Sequence, residues 1–148
     1  MQHVEPEQAQ FRALMAMDPD LGPVEMINML RYREHAVYPD GSGHSPCAGR
    51  EAYLRYGLAV QAFLDRAGAS IVWHGTPRLM LIGPQDKAWD DVLIVRYPDL
   101  RAFTTMITDP AYLEIAVHRS AALEDSRLIV TGPANATTLA HLQAAIEA

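Results

Sequence analysis

Asn28, Tyr97 and His118 are the side chains in this sequence whose types and positions best suit chemistry. Imidazole is the side chain whose ordinary pKa lies nearest neutrality, so His118 suits a general base. Asn28 falls in the middle of a strand pattern with apolar residues on both sides, and a buried amide needs partners, either backbone and water or a ligand. Tyr97 ends a strand, where its hydroxyl and the Asn28 amide could orient a phenolic group. Arg31 and Arg119 could hold an anionic oxygen. Arg119 interrupts an apolar helical stripe, where a guanidinium needs an anion, carbonyls or water at its tip. A plainer arrangement is also open: Arg119 caps carbonyls, His118 is partly exposed, and His74 is a surface side chain on a strand. The working set is therefore His118, Asn28 and Tyr97 as catalytic residues, with Arg31, Tyr56, His74, Trp89 and Arg119 as substrate contacts.

Other chemistries lack their motifs. There is no glycine-rich phosphate loop and no nucleophile elbow. Cys47 is the one cysteine, which excludes an intrachain disulfide and fits a reducing compartment. His35, His44 and Cys47 lie in one loop, but their spacing matches no compact zinc pattern and a fourth ligand is missing. Neither a metal nor a cofactor is expected. The net charge of −6 argues against a nucleic-acid partner or an anionic membrane surface. No apolar run approaches the roughly 20 residues of a membrane span. The N-terminus lacks a basic stretch followed by an apolar run, so a cytoplasmic protein is expected.

The elements that must position these residues follow from periodicity. Glu7 to Met17 predicts a short helix with Phe11, Leu14 and Met15 on one stripe. Val24 to Tyr32 predicts a strand that is apolar on both faces. Residues 35–47, rich in glycine and proline, read as a functional or mobile loop. Arg50 to Ala67 predicts a long helix closed by Gly68, with Gly57 permitting close approach of a sheet or ligand. Ala69 to Gly83 reads as extended pieces in which Ile71 and Trp73 alternate with Ser70, Val72 and His74. Trp89 to Tyr97 is the clearest strand, placing Trp89, Asp91, Leu93, Val95 and Tyr97 on one face. A helix opens at Pro98-Asp99, and a second starts with Asp109 as N-cap and Pro110 behind it, its stripe running to Leu123. Ser126 to Thr131 is the last strand, and Thr137 to Glu147 a terminal helix.

Without the terminal pieces the order is strand, helix, strand, strand, helix, strand. That is the ferredoxin-like split βαβ pattern of an α+β fold, an antiparallel sheet with helices on one face. The division expected is an N-terminal arm over 1–23, the domain over 24–132 and a C-terminal helix over 133–148. Helices cover one sheet face only, while the strands carry apolar residues on both. Pairing two sheets about a twofold axis covers the second face, which predicts a homodimer with a barrel-like interior.

Tyr97-Pro98-Asp99-Leu100-Arg101-Ala102-Phe103, Asp109-Pro110-Ala111-Tyr112 and His118-Arg119 resemble the strand–helix signature of the dimeric α+β barrel superfamily. Met29-Leu30-Arg31-Tyr32-Arg33, Gly49-Arg50-Glu51-Ala52-Tyr53 and Tyr56-Gly57 look more narrowly like an uncharacterised (DUF) family within it. The resemblance spans roughly residues 24 to 132. It implies a small-molecule pocket between sheet and helices or within the barrel. It also implies activities such as a cofactor-free monooxygenase or an isomerase acting on a small aromatic or polyketide-like molecule. A non-enzymatic ligand-binding or dimerisation module is the alternative. The haem-degrading branch of the superfamily uses an asparagine in the first strand, a tryptophan ending the third and a histidine on the following helix. Asn28 matches in place. Tyr97 stands at the tryptophan position and Ala116 at the histidine position, with His118 about 200° further round the helix.

Overall fold

The structure is a computed structural model, and it describes residues 2–133 and 136–148. Four strands form one antiparallel sheet: β1 (Val24–Tyr32), β2 (Ser70–Gly75), β3 (Asp91–Tyr97) and β4 (Leu123–Thr131). Their order is β2-β3-β1-β4, with β1 and β3 in the centre, which is the ferredoxin-like arrangement expected. Five helices accompany it: α1 (Gln8–Ala16), α2 (Gly49–Ala67), α3 (Leu100–Thr108), α4 (Pro110–Ala122) and α5 (Ala136–Glu147). Helix α2 packs against α4, and α2 and α3 lie over the sheet. None is long and apolar enough to cross a membrane, among the described residues.

Local chemistry sets the helix ends where the sequence places them. The Asp109 carboxylate accepts from the Ala111 N–H at 2.9 Å, and Pro110 follows it. The Asp99 carboxylate caps α3 by accepting from the Ala102 N–H at 2.8 Å. Gly68 closes α2 with φ 69°, a left-handed conformation that a Cβ penalises. Gly49 has a different duty. A Cβ there would collide with the carbonyl oxygens of Arg33 and Ala122, so only glycine lets α2 begin against the ends of β1 and α4.

Alternation along β1 and β3 sorts their side chains by face. Val24, Met26, Asn28 and Leu30 of β1, with Asp91, Val95 and Tyr97 of β3, are buried under the helices. Val60 and Leu64 of α2, Leu100, Phe103 and Met106 of α3, and Tyr112 of α4 complete that core. A second cluster joins Leu30, Ala52, Ala122 and Leu123 near the start of α2. The other face carries Ile27 paired across to Ile94 and Ile129, and Met29 paired across to Val92 and Arg127. Ile27, Met29, Val92 and Ile94 are only half-buried, and Ile129 and Trp73 are 46% and 52% exposed. The single chain therefore leaves an apolar sheet face open.

Four local expectations need correction. Strand β4 starts at Leu123, because Leu123 already pairs with Tyr32, so it belongs to the strand and not to the α4 stripe. Strand β3 starts at Asp91. The Tyr32 N–H is taken by the Asp90 carboxylate at 2.8 Å, a side chain replacing the backbone acceptor, and the ladder ends there. Residues 76–90 are largely irregular, and Leu79, Leu81 and Ile82 within them are strongly exposed. A Cβ on Gly57 would meet open space, so no other part of this chain requires a glycine there.

Leu30 is fully buried and holds the smaller cluster to the central strand. Leu30→Ala is expected to cost about 2–5 kcal/mol, read as a lowered midpoint in urea unfolding with little change in slope.

Candidate functional site

A carboxylate on the apolar face of β3 organises the most chemically capable cluster. Asp91 is 6% exposed, and its two oxygens receive four side chains. Tyr32 donates its hydroxyl to Oδ2 at 2.7 Å, and Arg50 donates to the same oxygen at 3.2 Å. His74 Nε2 lies 3.1 Å from Oδ1, and the Thr76 hydroxyl donates to Oδ1 at 3.3 Å. The four partners come from β1, α2, β2 and the segment after it, so the cluster knits both sides of the sheet end to the helix layer. His74 and Arg50 are more than half exposed, whereas the carboxylate that fixes them is not.

A bulge aims His74 at this carboxylate. Ile71 pairs with Val95, but Trp73 pairs with Ile94 and His74 with Leu93, so the register shifts by one between Ile71 and Trp73. Trp73 therefore lies on the open sheet face and His74 on the helix-facing side, which reverses the simple alternation expected for this strand.

Electrostatics keep the roles distinct. Burial pushes Asp91 up, but hydrogen bonds from Tyr32 and His74 and the charges of Arg50 and His74 together outweigh it and hold the carboxyl below its ordinary range. Burial, and then the bond and charge of Asp91, push the Tyr32 phenol well above its ordinary value, against the opposing Arg50 charge. Tyr32 is thus a fixed donor and Asp91 a fixed anion.

Beside Asp91 lies an open cleft of about 540 Å³ walled by Tyr32, Ala48, Arg50, Glu51, Tyr53 and Leu54. The Tyr32 and Tyr53 rings are 5.4 Å apart, and the Arg50 guanidinium sits 4.6 Å over the Tyr32 ring. Tyr53 leads on to Tyr56 at 5.5 Å, and the Tyr56 and Tyr112 hydroxyls are 2.9 Å apart. Burial pushes Tyr53 up to about 12, with Arg119 opposing and Tyr112 and Asp91 adding to the rise.

The residues expected from the sequence occupy several environments. The Asn28 amide donates to the Met26 carbonyl at 3.2 Å, the backbone alternative. Tyr97 is buried against Phe103, ring centroids 5.1 Å apart. His118 Nδ1 lies 2.7 Å from the Tyr38 hydroxyl in the 35–47 loop. These three make no bond to one another among the described residues, so their expected convergence is not present. Arg119 donates to the Val4 carbonyl at 3.0 Å and so ties down the N-terminal arm. Arg31 and Trp89 lie by the open sheet face with Arg127. His74 reaches the Asp91 cluster directly, and Tyr56 reaches the cleft through Tyr53. Asp91, Tyr32, Arg50 and Thr76 are the members of this candidate site that sequence reasoning did not single out. One signal was available: a carboxylate sharing a strand face with Leu93, Val95 and Tyr97 must meet donors once that face is buried.

With the sheet order and this cluster in place, the protein is defined as a ferredoxin-like α+β protein with a small pocket at one end of its sheet. The chain belongs to the family described as domain of unknown function DUF1330, whose model matches residues 44–133. It is similar to RPA0582, a protein of unknown function from Rhodopseudomonas palustris, at 44% identity over 91% of this chain and 99% of that one, with a TM-score of 0.83. A dimeric protein of unknown function with a ferredoxin-like fold from Bacteroides fragilis is 14% identical, over 76% of this chain and 98% of that one, TM-score 0.47. SnoaB, a cofactor-independent oxygenase from Streptomyces nogalater, is 20% identical, over 76% and 94%, TM-score 0.46. Likenesses as distant as the last two carry no argument about this chain. No curated protein matches it.

His118 defines a separate pH-sensitive contact. Arg55 donates to the Tyr38 oxygen at 3.2 Å, and the Tyr38 hydroxyl pairs with His118 Nδ1 at 2.7 Å, donating to it when that nitrogen carries no proton. Burial first, then the nearby His44 and Arg55, lower the His118 pKa. A group whose folded pKa is depressed contributes stability that is complete above its unfolded value, about 6.5, and is lost as pH falls through the folded value. The thermal midpoint should therefore drop on acidification below about pH 6.5, and the drop should shrink in His118→Gln. Thermal scans of both proteins across that range check this.

Proposed function

We propose that the chain binds a small aromatic or polyketide-like molecule in the Tyr32–Tyr53 cleft and moves a proton on it with His74. The observation that carries this reading is one buried carboxylate fixing an exposed imidazole and an exposed guanidinium at the same time. Asp91 holds His74 through Nε2, which leaves Nδ1 for a substrate, the orienting role a carboxylate plays beside any catalytic imidazole. Arg50 sits on the other oxygen of the same carboxylate, a few ångströms away, where it can balance an enolate or phenolate oxygen. His74 takes a proton from a C–H or O–H acid, and the negative charge forms on the oxygen that Arg50 faces. Return of the proton to a different carbon is an isomerisation. Reaction of the same carbanion with dioxygen, as an added co-reactant, is the cofactor-free monooxygenase reading, and the two share this first step.

The working unit proposed is a homodimer formed through the open sheet face. Ile27, Ile94, Ile129, Met29, Val92 and Trp73 give that face an apolar surface that one chain leaves uncovered.

Deuterium incorporation from solvent into a panel of β-dicarbonyl and hydroxyaromatic compounds, followed by NMR, tests the chemistry. Wild-type protein should label a member of the panel, and His74→Asn should slow labelling by about 10²–10⁴-fold with its thermal midpoint little changed. If compounds bind but none is labelled by the wild type, the chain is a ligand-binding module and the enzymatic reading fails. Light scattering tests the assembly: a dimer mass is expected for the wild type and a monomer for Ile129→Glu. A wild-type monomer at micromolar concentration would sink the dimer.

A further inference from the structure

Helix α2 carries a glycine with no duty inside this chain. Gly57 sits in the middle of α2, where glycine is a poor helix former, and its φ is not positive. A Cβ there would meet nothing within 4 Å. Neither packing nor backbone conformation demands a glycine, and the space beside it is open.

The position of Gly57 gives that space a use. Arg50, Tyr53, Leu54 and Gly57 recur at spacings of three and four, so they share one flank of α2. Arg50 on that flank bonds Asp91, and the Tyr53 ring lies beside Tyr32. Arg50, Tyr53 and Leu54 wall the cleft of about 540 Å³, and Gly57 stands one turn, about 5.4 Å, further along. Gln61, a turn beyond, donates its amide back to the Gly57 carbonyl at 3.1 Å and bounds the flank there.

Strand β2 supplies the opposite wall. Ile71 pairs with Val95, which is buried beneath the helices, so Ile71 faces the helix layer as His74 does. Yet Ile71 is 51% exposed, so the helices do not reach over it. A tight turn at Gly68 joins α2 to β2, and the two run in opposite directions. The helix from Arg50 to Gly57 and the strand from His74 back to Ile71 each span roughly 10 Å. Arg50 and His74 are held level by Asp91, which brings Gly57 level with Ile71. The trough between them continues the cleft on the helix side of the sheet, away from the face proposed for the homodimer. The cleft volume already lies within the range of about 300–1,000 Å³ that takes drug-sized ligands, more than a single ring needs.

We propose that Gly57 lengthens the Tyr32–Tyr53 cleft by one helical turn and so sets its substrate class: a two-ring molecule, or a ring bearing a short apolar chain, in preference to a single ring. The reacting ring lies at the end held by Arg50 and His74, and the extension lies between Gly57 and Ile71. This rests on the Tyr32–Tyr53 cleft being the ligand site, but not on proton transfer by His74.

NMR titration of the full chain with naphthol and with phenol tests this, since it reads weak as well as tight binding. Naphthol should shift the Gly57 N–H and Ile71 methyl resonances, and phenol neither. Gly57→Leu places a side chain in open space on a helix that accepts one, so it should melt no lower than the wild type. It should weaken naphthol by about tenfold or more and leave phenol within about twofold. Gly57→Ala should fall between. An unchanged naphthol affinity in Gly57→Leu overturns the proposal. So does an equal loss for both probes, which would mean that the cleft itself had been disturbed. Naphthol binding that moves neither Gly57 nor Ile71 also overturns it. If naphthol binding depends on Gly57 but no compound is deuterium-labelled, the extended cleft stands and the proton-transfer reading fails. If neither probe binds while members of the deuterium panel are labelled, the extended cleft fails and the proton-transfer reading stands.

Discussion

A carboxylate moved from water into a folded chain must find donors there, and Asp91 shows how much structure that demand can organise. It sits at the first position of β3, beneath the helices, where an unpaired charge would be prohibitive. Tyr32 comes from the adjacent strand, Arg50 from the first turn of α2, His74 from the edge strand and Thr76 from just beyond it. Each donor is delivered by a different element. The carboxylate therefore fixes where α2 begins relative to β1 and how the edge strand meets the centre. The same bonds leave two of the donors facing solvent, and those two are the groups with chemical capacity. Stability and the proposed chemistry draw on one set of contacts here.

The tight start of α2 belongs to this arrangement. Gly49 admits the carbonyls of Arg33 and Ala122 into the space a side chain would fill, and that close approach brings Arg50 within reach of Asp91. The 35–47 loop is held from the other side, by the Ala36 N–H on the Cys47 carbonyl and by Tyr38 between Arg55 and His118. A long irregular segment is thus anchored at several points. Ala48, which follows it, forms one wall of the cleft.

The two sheet faces have opposite characters. One is filled by helices α2, α3 and α4 and carries the Asp91 cluster at its end. The other is apolar in its middle and carries at one end an ion cluster in which Arg31, Lys87 and Arg127 surround Asp125. The side chains that alternate along β1 divide between these faces: Arg31 points to Asp125 while its neighbour Tyr32 bonds Asp91. The Asp125 carboxylate is held low by the His3 and Ser126 N–H groups and by Arg127, which outweigh the burial that would raise it. It is a second buried anion gathering cations, with different neighbours.

Periodicity and capping chemistry by themselves determined the elements and their order. The strand pattern of β1, the Asp109-Pro110 helix start and the Gly68 stop are local signals, and local interactions enforce them. The two-faced apolar pattern of β1 and β3 likewise announced a sheet needing cover on both sides. Only the tertiary structure decided which side chains meet in the candidate site. His74 reaches Asp91 because a bulge after Ile71 turns it to the helix side, and nothing in the alternation of Ser70 to Gly75 marks which residue is extra. His118 meets Tyr38 because the 35–47 loop folds back over α4, where the Val37 N–H bonds the Ala121 carbonyl. Asn28 finds its partner two residues away in its own strand. Asp91, Arg50 and Tyr32 are far apart in the chain, and the physical reason they meet is the burial of one charge, a demand that sequence spacing cannot display.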